Sequence, residues 1–446
     1  MEAKSPRGTS DILPSEVGLW RRVEEAVAEV MRAYDYREIR TPVFEHTELF
    51  QRGVGETTDI VEKQMYTFVD RGGRSVTLRP EGTAPVVRAF LEHKLAGHGL
   101  PQRLWYIQPM FRYERPQAGR SRQFHQFGAE AIGSSDPACD VEMIAIPIEV
   151  YRRLGITRYE VLLNSIGCPA CRPAYREALR AFLSGRLDAL CGTCRSRYDR
   201  NPMRILDCKV EGCKQATAGA PSSIEHLCGE CREHFEAVQR LLRTLEIPFS
   251  IDTRLVRGLD YYTKTVFEVV TDALGAQGAL AAGGRYDGLT EELGGPPTPA
   301  VGFGAGMERA VLMLKEIAAA SDGAGAVDVF VASLGASARP EAIRIADRLR
   351  KKGVATRIDY RDRLGEERSL KAQLKAAGKS GAGFVVILGE DELARGVATL
   401  KDMVGGGQEE IPLAEIDEAV ALRIARLPEA AGAPLGAGAE AHSQGR

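Results

Sequence analysis

The stretch from residue 111 to 133 carries the densest set of side chains that could bind a charged ligand. It reads FRYERPQAGRSRQFHQFGAEAIG, and its arginines are Arg112, Arg115, Arg120 and Arg122. Pro116 and Gly119 interrupt them, which predicts a basic loop joining two strands, over residues 104–111 and from residue 123 onward. Because the planar fork of a guanidinium matches phosphate oxygens, the loop favours a polyanionic ligand.

The second strand of this hairpin places a carboxylate and an amide on one face. Side chains alternate along a strand, so Phe124, Gln126, Gly128 and Glu130 point the same way. Polar groups buried there need polar partners. Two interpretations follow: a sheet with one solvated face, or an enzyme pocket for a cationic or hydrogen-bonding ligand.

Eight of the nine cysteines lie in four closely spaced pairs: Cys168 and Cys171, Cys191 and Cys194, Cys208 and Cys213, Cys228 and Cys231. Paired thiolates at this spacing suit a tetrahedral zinc ion, and four pairs could close one or two four-sulfur sites. The alternative is a set of reduced thiols without metal. Spacing leaves open whether one, two or no zinc ions bind. His226 and His234 do not follow the spacing of the cysteine pairs, so we predict that they are surface residues.

Composition excludes several classes of protein. The chain has 446 residues, of which 44% are hydrophobic and 27% charged, as expected for two or three globular domains. It contains no apolar run of about 18 residues, and its N-terminus has no apolar segment, so we expect a cytoplasmic protein with reduced cysteines and no membrane partner. The net charge is −2, so any nucleic-acid contact must rest on a local patch. One such patch lies between residues 339 and 379, with thirteen basic and six acidic residues.

Periodicity predicts the main elements. An amphipathic helix is expected near residues 20–31, a strand over 36–44 with Pro42 at an edge or bulge, a loop over 51–65, a helix over 138–154 and a strand over 265–271. A glycine turn is expected over 281–289 and a helix over 307–317. After a small-residue linker the pattern changes to strands over 327–333, 355–359 and 383–388 that alternate with helices over 340–352 and 370–377. This alternation predicts an α/β domain of about 100 residues.

Three further segments concentrate polar residues or glycines. RPEGT at 79–83 alone would be a solvated turn. RGLDYY at 257–262 alone could be the edge of a core, and if it lies in a strand its two adjacent tyrosines point to opposite faces, so one of them at most enters a pocket. VGFGAGMER at 301–309 spaces its glycines as G-x-G-x-G, which does not match a dinucleotide-binding loop.

Together these segments carry a family resemblance. FRYERPQAGRSRQFHQFGAEAIG resembles motif 2 of class II aminoacyl-tRNA synthetases in its histidyl version, and residues 20–44 and 301–309 are similar to motifs 1 and 3. RGLDYY and AAGGRYDGL at 281–289 resemble the two segments specific to histidyl-tRNA synthetases, and RPEGT resembles a segment that contacts histidine. RSLKAQLKAAGKSGA with VVILGEDE resembles the anticodon-binding domain of that family. The resemblance covers residues 5 to about 424.

The resemblance implies a fold and a division of the chain. We expect an α+β catalytic domain with a mixed or antiparallel sheet, the class II synthetase fold, over residues 1–325. Within it lies a small, cysteine-rich, mostly helical insertion at 168–240. An α/β anticodon-binding domain follows over 326–424, and a disordered tail over 425–446. Motif 1 implies a homodimer.

The resemblance also implies a reaction, in which ATP with Mg²⁺ activates L-histidine and histidyl-adenylate then charges tRNA(His). The catalytic residues implied are Arg112, Arg257 and Arg309, and ATP would be held by Arg112, Arg309 and Glu114. Histidine would be held by Glu81, Gly82, Thr83, Gln126, Glu130, Tyr261 and Tyr262. The tRNA acceptor end would meet Arg115 and Gln117. Many members carry the insertion without the cysteines, so zinc is an inference from the cysteines alone.

Two rival interpretations remain. A paralogue of these enzymes has lost aminoacylation and regulates the first enzyme of histidine biosynthesis. It generally lacks the C-terminal domain and an intact RGLDYY, both of which this chain has. A zinc-containing RNA-binding module would explain the cysteines and the basic domain but leaves the polar cluster unexplained.

Overall fold

The computed structural model describes residues 3–55, 58–117, 119–274, 278–318, 327–360 and 368–426. The chain divides into two compact units, Met1–Ala320 and Ser321–Arg446. Residues 427–446 of the expected tail lie outside the described residues. Among the described helices, none combines the length and apolar character needed to cross a lipid bilayer.

A large sheet forms the centre of the first unit. The strands of this unit are β1 (Arg37–Glu38), β2 (Phe44–His46), β3 (Tyr66–Val69), β4 (Ser75–Leu78), β5 (Gln102–Phe111), β6 (Gln123–Ile132), β7 (Glu160–Ser165), β8 (Ser250–Ile251), β9 (Thr263–Val270), β10 (Ala279–Arg285) and β11 (Ala300–Gly306). Within the described residues eight of them pair in the order β1-β5-β6-β11-β10-β9-β7-β8, and β2, β4 and β3 form a separate small sheet. Only the outer pairs β1–β5 and β7–β8 of the large sheet are parallel, so the expected mixed, largely antiparallel sheet is confirmed.

Helices cover this sheet and build the insertion. They are α1 (Pro14–Ala33), α2 (Thr47–Val54), α3 (Thr83–Glu92), α4 (Pro137–Arg153), α5 (Arg172–Leu183), α6 (Gly192–Arg200), α7 (Glu211–Ala216), α8 (Gly229–Thr244), α9 (Leu289–Glu292) and α10 (Met307–Ala318). The apolar residues of α1, at the predicted spacing, are buried in the core together with those of α4 and α10. Helices α5–α8 make the insertion mostly helical, as expected.

The second unit is an α/β fold around a sheet in the order β13-β12-β14-β15-β16. Its elements are β12 (Val329–Ser333), α11 (Arg339–Lys351), β13 (Thr356–Ile358), α12 (Leu370–Lys379), β14 (Phe384–Leu388), α13 (Glu390–Arg395), β15 (Val397–Asp402), β16 (Gln408–Pro412) and α14 (Ile416–Arg426). Strands β13, β12 and β14 are parallel and alternate with helices α11 and α12, which agrees with the predicted α/β domain. The antiparallel strands β15 and β16 were not predicted. Most residues of β16 are exposed and polar, and β15 alternates buried residues with half-buried ones, so the apolar signal of both strands is weak.

Two expectations about the N-terminal part of the first unit were wrong in detail. Residues 36–44 form two strands in different sheets, because the buried guanidinium of Arg79 takes the carbonyl oxygens of Thr41 and Pro42, at 2.8 and 3.1 Å, out of any ladder. The expected loop over 51–65 begins inside α2 and contains a π-helical turn at Ile60–Gln64.

The glycine turn expected over 281–289 is instead a central strand, β10, followed by a turn. Its glycines are needed because the neighbouring strands lie very close, β11 at Gly283 and β9 at Gly284. A Cβ at Gly283 would stand 2.3 Å from the carbonyl oxygen of Gly302. Glycine is therefore required here by close packing between strands. The sequence alone does not distinguish this from a turn, because glycine is common in both.

A buried charged network ties the insertion to the sheet. Asp140 of α4 and Arg285 of β10 are fully buried and form an ion pair, and His234 of α8 lies 3.1 Å from the Asp140 carboxylate. His234 was expected on the surface, and that expectation is wrong. Burial alone would raise the pKa of Asp140, but the hydrogen bond from His234 and the charge of Arg285 lower it below the ordinary value.

We expect Asp140→Asn to lower the free energy of unfolding of the first unit by about 3–5 kcal/mol, because Arg285 would remain buried without its counter-charge. The folded-state pKa of Asp140 is depressed, so its contribution is present above about pH 4 and is lost as the pH falls through the folded pKa. Thermal unfolding from pH 3 to 7 measures this: the gap between wild type and variant should close in acid. Asp272→Asn, which breaks an exposed pair with Arg158, is the control and should leave the midpoint unchanged. Equal midpoints for Asp140→Asn and wild type at pH 7 would contradict the assignment.

Candidate functional site

The central strands β6, β10 and β11 form a glycine-rich floor beneath an open cleft. A Cβ at Gly128 would meet the Tyr106 hydroxyl at 2.5 Å, and one at Gly302 would meet a Glu130 carboxylate oxygen at 1.7 Å. The glycines therefore leave the space that these polar side chains occupy.

Glu130 is fully buried and lies on the same face of β6 as Gln126, which lines the cleft. Its carboxyl group accepts hydrogen bonds from the hydroxyls of Thr83, at 2.8 Å, Tyr286, and more weakly Tyr106, at 3.5 Å. Burial raises its pKa to about 8 even though these hydroxyls oppose the rise. Because the pKa is raised, the stability gained from the neutral form is present in acid and is lost as the pH rises toward 8. Glu130 does not line the cleft directly: the hydroxyls of Thr83 and Tyr106 stand between it and the cleft.

Glu81 lies at the wall of the cleft and holds the first turn of α3. Its two carboxylate oxygens accept the backbone N–H groups of Thr83, at 2.7 Å, and Ala84, at 2.9 Å. A carboxylate at a helix N-terminus satisfies amides that have no partner inside the helix. Burial nevertheless raises the pKa of Glu81 above its ordinary value. The carboxylate thus has its position fixed and still faces the cleft.

Three tyrosines form an aromatic wall of the cleft: Tyr106, Tyr261 and Tyr262. The rings of Tyr261 and Tyr262 lie 4.7 Å apart, and the Tyr261 hydroxyl is 3.5 Å from Glu81. The prediction that one of the adjacent tyrosines at most enters a pocket was wrong, because β9 begins at Thr263 and neither tyrosine is in a strand.

Four guanidinium groups line the same cleft, and each has a partner inside the protein. Arg112 donates to the Pro80 carbonyl at 2.8 Å and lies over the Phe124 ring at 5.3 Å. Arg120 pairs with Glu114 at 2.6 Å. The other two contacts join Arg257 to Glu268 and Arg309 to the carbonyl of Ala279.

The buried arginines favour an anionic ligand. Burial lowers the pKa of Arg112 and of Arg309 below the ordinary value, which shows that desolvation of their charge is only partly compensated. A phosphate group placed among them would supply the missing negative charge. Such a cleft can hold a polyanion beside a group that hydrogen-bonds to carboxylates and hydroxyls.

Most of the expected site residues come together in this cleft. Those that line it are Glu81, Gly82, Thr83, Arg112, Glu114, Gln126, Arg257, Tyr261, Tyr262 and Arg309. Arg115 and Gln117 do not, since they are exposed on the loop between β5 and β6, where Gln117 and Arg120 exchange backbone hydrogen bonds of 3.0 and 2.9 Å.

Among the lining residues that sequence reasoning did not assign to the site are Tyr106, Arg120 and Glu268. Tyr106 lies opposite Gly128 in the β5–β6 pair. The register of the hairpin, applied to β5, would therefore have placed Tyr106 beside the site. Glu268 lies opposite Ala282 on β10, and that pairing carries no local sequence signal. Arg120 was recognised as part of the basic loop but not assigned to the site.

The cysteines form two separate groups of four. Cys168, Cys171, Cys228 and Cys231 make the first cysteine group, and Cys191, Cys194, Cys208 and Cys213 make the second; within each, the Sγ atoms lie within 4.8 Å of one another. All nine cysteines are free thiols. Sulfurs of a tetrahedral zinc site, with bonds of about 2.3 Å, stand about 3.8 Å apart. The closest Sγ pairs, at 3.6 and 4.0 Å, agree with that spacing, so each group fits one ion.

Comparisons with known proteins agree with this geometry. A family model described as histidyl-tRNA synthetase matches residues 8–310, and one described as anticodon binding domain matches residues 328–422. A histidine–tRNA ligase of Moorella thermoacetica is 55% identical over 416 residues, which are 93% of this chain and 97% of that protein.

Solved structures show the same fold. Apo histidyl-tRNA synthetase of S. aureus has a TM-score of 0.78 at 38% identity, over 94% of this chain and all of the other. A Bacillus halodurans protein described as an ATP phosphoribosyltransferase regulatory subunit/histidyl-tRNA synthetase has a TM-score of 0.63 at 23% identity, over 86% of this chain and 98% of the other. The latter similarity concerns the fold alone.

We expect Gly302→Ala to destabilise the first unit by about 1–3 kcal/mol or more, because its methyl group would displace the Glu130 carboxyl from its hydroxyl partners. Gly304→Ala is the matched control on the same strand, since its Cβ would meet nothing closer than Gln126 at 3.6 Å. Chemical denaturation of the two variants measures the difference. Equal stability would show that the space around Glu130 is not constrained as described.

Proposed function

This chain belongs to the histidyl-tRNA synthetase family and is an enzyme of the histidine–tRNA ligase type, and we propose that the cleft above β6, β10 and β11 is its active site. The reaction joins L-histidine to ATP, forming histidyl-adenylate and pyrophosphate, and then transfers histidine to the 3′ end of tRNA(His). The observation that carries the assignment is a single cleft lined by both a Glu81–tyrosine wall and four arginines.

The arginines serve the first step. Attack of a carboxylate on the α-phosphate brings two anions together, so positive charge must be fixed in place beforehand. We assign Arg257 to the α-phosphate and the histidine carboxylate, and Arg112 and Arg309 to the nucleotide. Each would exchange its present partner for a phosphate oxygen at little cost, since its position is already fixed. Mg²⁺ accompanies ATP and neutralises its outer phosphates; Glu114 and Glu268 are the cleft carboxylates suited to it.

The wall around Glu81 suits histidine. Glu81 and Gln126, with the Thr83 hydroxyl and the backbone at Gly82, would hold the ammonium group. Tyr261 and Tyr262 would meet the imidazole. Glu130 was expected to accept an imidazole N–H directly; its burial supports a contact made together with the Thr83 and Tyr106 hydroxyls that it orients. A ligand that leaves such buried groups unpaired is rejected by up to about four orders of magnitude.

The regulatory alternative has less support. It would need neither the arginine set nor a second unit that matches an anticodon-binding model, yet this chain has both. We therefore propose that the unit containing β12–β16 binds the tRNA anticodon. The basic residues of α11 and α12 would contact the phosphate backbone.

We further propose that Arg115 and Gln117 contact the tRNA acceptor end, since both are exposed on the loop whose other side lines the cleft. We also propose a homodimer. The exposed apolar side chains of the small sheet, Phe44, Phe68 and Val69, support a buried role in an assembly.

Zinc and cytoplasmic location complete the proposal. The donor set of each cysteine group, four thiols at tetrahedral spacing, is the one that structural zinc prefers. Backbone N–H groups donate to the thiol sulfurs of Cys171 and Cys213, as in zinc–thiolate loops. Free thiols throughout the chain support a reducing compartment.

We expect Glu130→Gln and Arg257→Ala each to reduce histidine-dependent ATP–pyrophosphate exchange by about 100-fold or more. The first replaces the carboxyl group that orients the Thr83 and Tyr106 hydroxyls, and the second removes a positive charge that the activated complex needs. Arg158→Ala, which removes an exposed arginine paired with Asp272, is the control and should retain full exchange. Circular dichroism checks the fold of each variant. Near-normal exchange in either variant would remove that residue from the site.

We expect Arg115→Ala combined with Gln117→Ala to keep pyrophosphate exchange within about twofold while raising the KM for tRNA(His) about tenfold, the effect of one or two lost polar contacts. Charging of tRNA with radiolabelled histidine measures this, with Arg158→Ala again as control. The same pair of assays separates the three functions: a regulatory subunit performs neither reaction, and an RNA-binding module binds tRNA without exchange.

A further inference from the structure

The second cysteine group encloses a short segment that touches the wall of the cleft. Cys191 and Cys194 stand at the start of α6, and Cys208 and Cys213 stand just before and within α7. Residues 195–207 between them form the rest of α6 and a 3₁₀ turn at Pro202–Ile205. The Cys191 and Cys208 sulfurs, 4.0 Å apart, bring the two ends of this clamp segment together. One tetrahedral ion would therefore close it into a loop.

The clamp segment holds the RGLDYY sequence by two hydrogen bonds. The Arg204 guanidinium donates to the Gly258 carbonyl at 3.0 Å, and the Asn201 amide donates to the Asp260 carboxylate at 2.9 Å. Gly258 and Asp260 lie in the sequence between Arg257 and Tyr261. Two cleft side chains thus depend for their backbone position on the clamp segment.

The same segment also fixes residues at 59–62. Arg197 and Arg204 both pair with Asp59, and Arg200 pairs with Glu62 at 3.1 Å. The Arg197 and Arg204 side chains are only 16% and 11% exposed, so their pairs with Asp59 are partly shielded from water, whereas Arg200–Glu62 is a surface pair. Apolar contacts add to them, since Cys194 and Ile205 belong to the buried cluster that contains Tyr261 and Tyr262.

The first cysteine group has a different place. Cys171 and Cys231 are buried in the main core, at the point where β7 leads into α5, and the backbone of Gly167 pairs with Lys264 of β9 at 2.9 Å. Removing an ion there would disturb the core itself. Cys194 and Cys213 of the second group are also buried, but in the separate apolar cluster that contains Tyr261 and Tyr262, so an ion there acts on the wall of the cleft.

We propose that the zinc ion of the second cysteine group is a positioning metal: it closes the clamp segment, which holds Gly258 and Asp260 and thereby sets Arg257 and Tyr261 for histidine. The inference rests on the proposed role of the cleft and adds to it a metal that touches no substrate. It assigns the two ions different tasks: the first stabilises the main core, and the second positions the wall of the cleft from outside it.

The test uses the full-length protein with Cys191→Ser combined with Cys208→Ser, which removes the two half-buried ligands of the second group. Elemental analysis should show two zinc ions per chain in the wild type and one in the variant. We expect the KM for histidine to rise about tenfold, as for one lost hydrogen bond, and the KM for ATP to stay within about twofold. Hydrogen exchange of residues 58–62 and 257–262 should accelerate in the variant. Cys139→Ser removes the ninth cysteine, which is outside both groups, and should match the wild type in every measurement.

A second variant leaves the metal in place. Asn201→Ala combined with Arg204→Ala should keep two zinc ions and reproduce the higher KM for histidine and the faster exchange at 257–262. A wild-type chain with one zinc ion or none, or a serine variant that loses zinc without a change in exchange at 257–262, overturns the proposal. If the double serine variant does not fold, the double alanine variant decides: a normal KM for histidine in that variant overturns the proposal. An inactive wild type would contradict the proposed function, whereas zinc content and hydrogen exchange would still decide this inference.

Discussion

The structure of the first unit depends on keeping one carboxyl group, that of Glu130, buried at the middle of a sheet. Removing a carboxyl from water is costly unless hydroxyl donors surround it, and here three different parts of the chain supply them: α3, β5 and the turn after β10. The neighbouring strand must leave room, which Gly302 does. The positions of α3, β5, β6, β10 and β11 are therefore set together, and the floor and walls of the cleft result from that arrangement.

The positive charges in the cleft are held by internal partners that an anionic ligand can replace. Glu114 and Glu268 hold two of the arginines, and backbone carbonyls hold the other two. The side chains are thus ordered before a substrate arrives, which reduces the entropy lost on binding. Because burial already disfavours the charges of Arg112 and Arg309, an incoming phosphate relieves an existing cost as well as forming new hydrogen bonds.

The sequence was informative where a motif is local and weak where a contact joins distant segments. The hairpin of β5 and β6, the amphipathic α1 and the alternating second unit follow from periodicity and turn residues. The network of His234 with Asp140 was missed, because a histidine on a helix gives no sign of a carboxylate 94 residues away in sequence. The strand β10 was taken for a turn because glycine permits both structures, and close packing between strands is visible only in three dimensions. Cysteine spacing predicted clusters of thiols. Which two cysteine pairs combine into one group of four could be seen only in the folded structure.

That pairing is nested: the outermost cysteine pairs meet each other, and the two inner pairs meet within them. The chain leaves the sheet at β7 and returns at its parallel neighbour β8, so the outer cluster closes the neck of a single excursion from the sheet. Because the two clusters are nested, the geometry of the neck does not depend on the length of the inner loop. The points where the excursion begins and ends are fixed by the outer cluster, and the cost in loop entropy of the chain between them grows only slowly with its length. The outer cluster therefore keeps both ends of the insertion beside the sheet, whatever position the inner cluster gives to the residues that contact Gly258 and Asp260.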